Sequence, residues 1–290
     1  MRVQESLDTP LRTGVALVAL PLLLLLHCLA AIALALVGAS TSSVHACYVG
    51  FARACLRVAG TRLTVRGAER ADPGAAYVVV SNHESAWDPV CLVAALPDVL
   101  LRFVVKRPIM RIPVFGQALR LTGNVTVVRT QTEADVQRLR EGMALRAPEI
   151  SMLFFAEGTR SRDRRLHRFK MGAFATAISE GLPVLPVAVA GTFEIWPKGT
   201  LRLRRAPVAI EIGAPIPTAG LAFEDRAALR DTAHDAVEAL REHARKRLGL
   251  DYGQRGSRRP ASGAGRAVAE RGSPPAPPPA APPDSTESGR

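Results

Sequence analysis

The sequence predicts an α/β fold in which a largely parallel sheet is flanked by helices and preceded by an N-terminal membrane helix or helical hairpin. From Arg62 onward, short β-branched runs alternate with stretches of helical periodicity, which is typical of parallel sheets whose strands are joined by helices. Before Arg62 the chain is almost continuously apolar. With 290 residues the chain is long enough to bury a full core.

The apolar N-terminus predicts a membrane anchor in residues 1–60. From Thr13 to Val37 the chain is nearly all Leu, Ala and Val, and these 25 residues would form a helix of about 37 Å. That length is enough to cross a hydrocarbon layer of about 30 Å. A cleaved signal peptide is the alternative, but its apolar region normally covers only about 7–15 residues. We therefore favour a retained anchor.

Arginines flank the apolar region on both sides and bear on its topology. A second apolar segment runs from Val44 to Val58, after a polar break. A single span would place one group of arginines on the wrong side of the membrane, whereas a hairpin in one leaflet keeps both groups cytoplasmic. Both arrangements stay open, with the hairpin favoured. The flanking arginines are Arg2, Arg12, Arg53, Arg57 and Arg62.

Residues 61–250 form the predicted α/β domain. Strands are expected at Leu63–Arg66, Tyr77–Ser81, Leu101–Val105, Val125–Val128, Ser151–Phe155, Val184–Val189 and Val208–Ile212. Helices are expected near Trp87–Leu96, Val114–Leu121, Glu133–Ala147, Gly172–Glu180 and Ala222–Leu248. The last helix has one apolar stripe at helical spacing. On its other side Asp231, His234, Asp235 and Glu238 share a face, which we interpret as solvated and not as a metal site.

Composition narrows the possible partners. The net charge of +12 and the pI of about 10.6 indicate an anionic partner such as a lipid or a phosphorylated substrate. Residues 251–290 are rich in Arg, Gly, Ser and Pro and predict a disordered tail, whose part from Gly253 onward carries only +3 of that charge. Aromatic residues make up 5% of the chain, and no basic stretch is interleaved with stacking rings, so nucleic acid is not the expected partner. The four cysteines, none in a C-x-x-C pair, predict buried thiols without a disulfide frame or a metal site.

The first candidate site motif is Ser81-Asn82-His83-Glu84-Ser85-Ala86-Trp87-Asp88, which follows an apolar strand. A histidine with a carboxylate five positions later is a possible general base with its orienting partner. On an ideal helix the two side chains would lie about 140° apart, so contact between His83 and Asp88 requires a turn. A strand-capping histidine beside a helix-capping aspartate is the simpler interpretation of this pair alone.

The second candidate motif, Glu157-Gly158-Thr159-Arg160, follows the strand that ends at Phe155. A glycine lets the backbone approach an anion, and Arg offers forked hydrogen bonds to phosphate. A solvated basic loop with a Glu–Arg salt bridge is the alternative. Within that loop we interpret Arg164 and Arg165 as surface charges.

Four ordered blocks of the chain resemble the glycerolipid acyltransferases, and above all the 1-acyl-glycerol-3-phosphate acyltransferases. The blocks are Asn82-His83-x-Ser85-x-x-Asp88, then Lys106 to Arg129 with Pro113 and Gly116, then Phe155-x-Glu157-Gly158-Thr159-Arg160-Ser161, then Leu185-Pro186-Val187. The resemblance implies that His83 and Asp88 are the catalytic pair and that the fold is that of this family. It also implies phosphate binding by Glu157, Gly158, Thr159 and Arg160, with Arg129 as a further phosphate contact.

Departures from the family pattern put the acceptor in doubt more than the reaction. Ala156 stands where the family usually has Pro, and Glu84 where many members have Gln. The second block reads Asn124-Val125-Thr126-Val127-Val128-Arg129 and departs from the common form.

The resemblance implies an acyltransferase at the cell membrane, with its active site facing the cytoplasm. Acyl-CoA or acyl-carrier protein would be the donor and a lysophosphatidic-acid-like lipid the acceptor, with no metal and no cofactor. Glycerol 3-phosphate, another lysophospholipid or an amino-acid lipid are alternative acceptors. From another class, the chain could be a non-catalytic domain that binds anionic membranes.

Overall fold

The computed structural model describes residues 9–127, 139, 141–144, 146–197, 199–200 and 203–250. The helices are α1 (Thr9–Leu36), α2 (Thr41–Ala59), α3 (Asp88–Ala95), α4 (Phe115–Leu121), α5 (Gly172–Glu180), α6 (Thr192–Ile195) and α7 (Arg226–Leu248). The strands are β1 (Arg62–Arg66), β2 (Val78–Ser81), β3 (Leu101–Lys106), β4 (Val125–Val127), β5 (Ser151–Phe155), β6 (Val184–Ala190) and β7 (Pro207–Ile212).

The seven strands form one sheet in the order β1-β7-β6-β2-β5-β3-β4. Five of the six neighbouring pairs are parallel, and only β6 and β7 run antiparallel. The predicted α/β class with a largely parallel sheet is therefore confirmed. The central strand β2 lies between β5 and β6, so the loops that follow β2 and β5 leave the same edge of the sheet side by side.

Alternate residues of the central strands pack into two cores, one on each face of the sheet. Val79 and Leu153 belong to the core under α2 and α3. Val78 and Met152 belong to the core under α5 and α7. Because side chains of a strand point to opposite faces in turn, a run of consecutive apolar residues is what a sheet covered on both sides requires.

The helix α7 packs its predicted apolar stripe against the sheet, with Leu229, Ala233, Val237 and Ala244 buried. The opposite face is less solvated than the sequence suggested. Asp231 and Asp235 are exposed as expected, but the ring of His234 packs edge-on against Phe169 at 4.9 Å, and Glu238 pairs with Arg241 at 3.1 Å. No cluster of three or more potential metal ligands occurs among the described residues.

The N-terminal helices pack together and differ in character. Within α1 the segment Thr13–Leu36 is long and apolar enough to cross a membrane, with a mean hydropathy of 2.7 and only 17% of its apolar stretch buried. Among the described residues, no other helix meets these conditions. By contrast, α2 buries Val49, Ala52 and Cys55 in the core of the α/β domain. Thus α2 is a covering layer of the sheet as well as the partner of α1.

Three other sequence predictions concern the cysteines, one helix and the C-terminal tail. All four cysteines are free thiols, with three buried and Cys47 half-buried. The predicted helix at Glu133–Ala147 lies mostly outside the described residues, although residues 141–144 are helical. The predicted tail at 251–290 lies outside them entirely.

Candidate active site

Two loops meet at the edge of the sheet because their strands are parallel neighbours. In the register of β2 and β5, Ser81 lies opposite Phe155. His83, in the loop after β2, and Glu157, in the loop after β5, therefore lie close together. The ends of parallel strands are where ligands gather in open α/β sheets.

The structure brings His83 and Asp88 into direct contact. Asp88 is the first residue of α3, and a turn precedes it, so His83 folds back over the helix N-terminus. Its Nδ1 atom lies 2.7 Å from Oδ2 of Asp88. The same oxygen accepts hydrogen bonds from the backbone N–H groups of Glu84 at 2.7 Å and Ser85 at 2.9 Å. Asp88 thus stabilises the turn that precedes α3 and is the partner of His83, but its side chain does not cap the helix as the simpler interpretation expected.

This arrangement sets the chemical roles of the two imidazole nitrogens. Oδ2 of Asp88 acts as a hydrogen-bond acceptor, since two backbone N–H groups donate to it. Nδ1 of His83 must then carry the proton and donate it to Asp88, which leaves Nε2 as the basic nitrogen. The Asp88 side chain is fully buried, whereas His83 remains 16% exposed. A substrate can therefore reach His83, the candidate base, but not the buried Asp88 carboxylate that orients it.

Two further residues, which the sequence did not single out for a role, fix the orientation of His83. The ring of Phe155 stacks on the imidazole, with centroids 3.9 Å apart and an angle of 16° between the planes. Asn82 makes two hydrogen bonds with the backbone of Val189 on β6, at 2.9 and 2.8 Å. Phe155 is the last residue of β5, and the register of β5 with β2 places it beside the loop that carries His83. The contact could have been predicted only from that register.

Glu157 is buried and joins the two loops from within. Its Oε1 accepts from the backbone N–H of His83 at 2.8 Å, and its Oε2 accepts from that of His167 at 3.0 Å. Burial raises the pKa of Glu157 to about 7, and the two backbone hydrogen bonds oppose this rise. The alternative of a solvated Glu–Arg pair is therefore wrong. Because both of its oxygens accept hydrogen bonds from backbone N–H groups, the Glu157 side chain holds the two loops together.

The remaining residues of the second motif form the surface of the turn. Gly158 has a φ of +71°, and a Cβ there would lie 3.0 Å from the Lys170 side chain, so only glycine fits without strain. Thr159 and Arg160 are half-buried. Within the described part of the chain, the Arg160 guanidinium has no hydrogen-bond or ion-pair partner, so its donors remain open to a ligand. The side chain of Lys170 packs against this turn.

Three points from the sequence analysis concern the surroundings of the motifs, and one of them, the interpretation of Arg164, is wrong. Arg164 is not a surface charge, because its guanidinium pairs with Glu194 at 3.2 Å and covers the Phe193 ring at 4.4 Å. At the departure from the family pattern, the N–H of Ala156 donates to the carbonyl of Ser81 at 3.3 Å, a bond that Pro could not make. The predicted phosphate contact Arg129 lies outside the described residues.

Comparison with known proteins gives a match to the region of the chain that contains this site. A family model described as Acyltransferase matches residues 62–190, a region that contains both motifs and the strands that carry them. Residues 62–190, which are 129 of the 290 residues, are thus similar to an acyltransferase domain.

The chain is also similar to curated 1-acyl-sn-glycerol-3-phosphate acyltransferases, as the sequence resemblance predicted. It is 32% identical to that of Limnanthes douglasii over 160 residues, which are 55% of this chain and 56% of the relative. It is 30% identical to the alpha form of Homo sapiens over 185 residues, which are 63% of this chain and 65% of the relative. The chain thus spans between half and two thirds of the length of these relatives.

A solved structure has the same fold. The 1-acyl-sn-glycerophosphate (LPA) acyltransferase PlsC of Thermotoga maritima superimposes with a TM-score of 0.67 over 85% of this chain and 98% of its own length. The sequences are 21% identical. This similarity extends beyond residues 62–190 and confirms the predicted fold class.

Proposed function

We propose that the chain transfers a fatty acyl group from a thioester donor to the free hydroxyl of 1-acyl-glycerol 3-phosphate, forming phosphatidic acid for phospholipid synthesis. The observation that carries this proposal is the 2.7 Å contact between Nδ1 of His83 and the buried Oδ2 of Asp88. The names of the similar curated proteins support the acceptor. The donor is acyl-CoA or acyl-carrier protein, and the reaction needs no cofactor and no metal.

The reaction follows from the roles of the two nitrogens of His83. As the acceptor hydroxyl oxygen attacks the thioester carbonyl, its proton moves to Nε2, and the imidazolium that forms is stabilised by Asp88. The tetrahedral intermediate then expels the thiolate as the carbon–sulfur bond breaks. The same imidazolium returns the proton to the thiolate. The acceptor is the nucleophile, so no covalent intermediate on the protein is required.

The acceptor phosphate is held by the turn at Gly158-Thr159-Arg160, next to His83. The open donors of the Arg160 guanidinium, together with the left-handed backbone at Gly158, support this placement. Glu157 acts in acceptor binding only indirectly, because its two oxygens hold the backbone of both loops. Arg129 stays a proposed additional phosphate contact.

The helical pair α1–α2 holds the protein in one leaflet of the cell membrane, with the active site towards the cytoplasm. Near the start of α1, Thr13 donates a hydrogen bond to the carbonyl of Leu203 at 3.3 Å. At the start of α2, Thr41 donates one to Glu149 at 3.0 Å. Because the start of α1 and the start of α2, which follows the end of α1, both contact the α/β domain, α1 cannot also cross a hydrocarbon layer of about 30 Å away from that domain. These contacts support the hairpin over the single span.

A thiol-release assay with acyl-CoA and lysophosphatidic acid tests the proposal. We expect release that depends on both substrates, with a product that co-migrates with phosphatidic acid. Glycerol 3-phosphate and other lysophospholipids serve as competing acceptors in parallel reactions. A non-catalytic binder of anionic membranes would give no release while still binding vesicles, and that result would overturn the proposal.

A further inference from the structure

One arginine of the last helix connects the loop that carries His83 with the loop that carries Arg160. Arg241 on α7 is 1% exposed, and its Nε and Nη2 atoms both lie 3.0 Å from Oε1 of Glu84. Its Nη2 also donates a hydrogen bond to the backbone carbonyl of Arg164. Arg241 lies outside the region that matches the family model.

Glu84 is the residue through which this contact reaches the catalytic pair. It follows His83 directly, and its own backbone N–H is one of the three donors to Oδ2 of Asp88. Its side chain is 2% exposed. Any movement of the buried Glu84 carboxylate therefore moves a hydrogen-bond donor of the catalytic carboxylate as well.

Arg164 is the residue through which the contact reaches the other loop. Its φ of 60° places a non-glycine residue in the left-handed region, a strained conformation that persists only where the surroundings enforce it. Both Arg241 and Arg245 donate to its carbonyl, and Arg245 also lies 3.4 Å from Glu84. The backbone four residues after Arg160 is thus fixed from α7.

We propose that Arg241 is a positioning residue that sets the distance between the base His83 and the phosphate-binding turn at Arg160, through the Glu84 carboxylate and the Arg164 carbonyl. This inference rests on the proposed acyl transfer. A planar guanidinium can donate to a carboxylate and a carbonyl at once in a fixed geometry, which the ammonium of Lys cannot reproduce. Since a displacement of about 1 Å can cost on the order of 10²-fold in rate, the effect of Arg241 is expected in turnover and not in substrate affinity.

Arg241→Lys in the full-length, membrane-reconstituted protein tests the proposal. We expect kcat to fall about 10- to 100-fold while the KM values for acyl-CoA and lysophosphatidic acid stay within about twofold. The matched control is Arg247→Lys on the same helix. Arg247 pairs with Glu211 at 2.6 Å, away from both loops, so this variant should keep the wild-type kcat. Equal kcat values for Arg241→Lys and Arg247→Lys would overturn the proposal.

A second comparison separates positioning from general loss of stability. If Arg241 acts only through the base, adding Arg241→Lys to His83→Ala should leave the residual rate unchanged, because effects of groups that act as a unit are not additive. A further multiplicative loss in the double variant would show that Arg241 acts elsewhere. Should Arg241→Lys fail to fold, Glu84→Gln gives the answer in its place. It keeps the shape of Glu84 and must lower kcat with KM unchanged, and a wild-type kcat would refute the inference. Absence of transfer by the wild type would instead refute the proposed function itself.

Discussion

Nδ1 of His83 lies 2.7 Å from Oδ2 of Asp88, an oxygen that two backbone N–H groups of the same loop also bind. The carboxylate therefore organises the five-residue turn and orients the imidazole at the same time. Both the structure of this turn and the orientation of His83 therefore depend on the side chain of Asp88.

We expect His83→Ala to lower turnover by about 10²- to 10⁴-fold, because loss of a positioned base typically costs this much. Asp88→Asn should be comparably impaired, since an amide can offer its N–H group to Nδ1 and favour the wrong tautomer. The measurement is kcat with soluble short-chain substrates, and thermal unfolding of each variant provides the control. Near-normal turnover of folded His83→Ala would show that another group is the base.

Arg160→Lys should weaken transition-state binding by one to two orders of magnitude, because a charge-assisted hydrogen bond contributes roughly 1.5–3 kcal/mol. The loss should appear in kcat/KM for the acceptor, with the KM for the donor little changed. Arg165→Lys is the control, since Arg165 is exposed on the same loop. Arg164 cannot serve as a control, because it is tied to Glu194 and Phe193. Normal kinetics of Arg160→Lys with impaired Arg165→Lys would place the phosphate further along the loop.

Glu157 should make the stability of the protein depend on pH. Burial raises the pKa of Glu157 from an ordinary 4.5 to about 7, so between these values the folded chain binds more protons than the unfolded chain. The contribution is fully present below pH 4.5, and the free energy of unfolding then decreases, by about 3 kcal/mol from this group, as pH rises to 7.

Glu157→Gln removes this titration. The difference between the Tm of the wild type and the Tm of this variant should therefore be larger at pH 5 than at pH 8. Glu242→Gln, an exposed change on α7, should show a constant difference. A Tm difference for Glu157→Gln that is independent of pH would contradict the raised pKa.

The hairpin arrangement predicts that both sides of the anchor face the cytoplasm. Cysteines introduced as Gln4→Cys and Glu69→Cys should both resist an impermeant thiol reagent in intact cells and react after permeabilisation. The wild-type chain, with three of its four thiols buried, measures the background. Labelling of Gln4→Cys alone in intact cells would demonstrate a span and refute the hairpin.

The sequence by itself determined the α/β class, the order of the strands along the chain and the approximate bounds of most elements. The predicted strand Ser151–Phe155 and the predicted helix Gly172–Glu180 end where the structure ends them. Such local features follow from periodicity, since a buried strand or an amphipathic helix leaves its pattern in consecutive residues. The close spacing of His83 and Asp88 also made them a candidate pair, and the family resemblance suggested a catalytic role for them.

Only the tertiary structure decided how separate segments meet. Arg241 and Glu84 are 157 positions apart, and the pairing of β2 with β5 sets Phe155 against His83. The tertiary structure also directs the Glu157 side chain inward, where it accepts a hydrogen bond from the backbone of His83. It pairs Arg164 with Glu194. The spatial order of strands in a sheet and the direction of a buried hydrogen bond depend on the packing of the whole chain, and local periodicity carries no record of either.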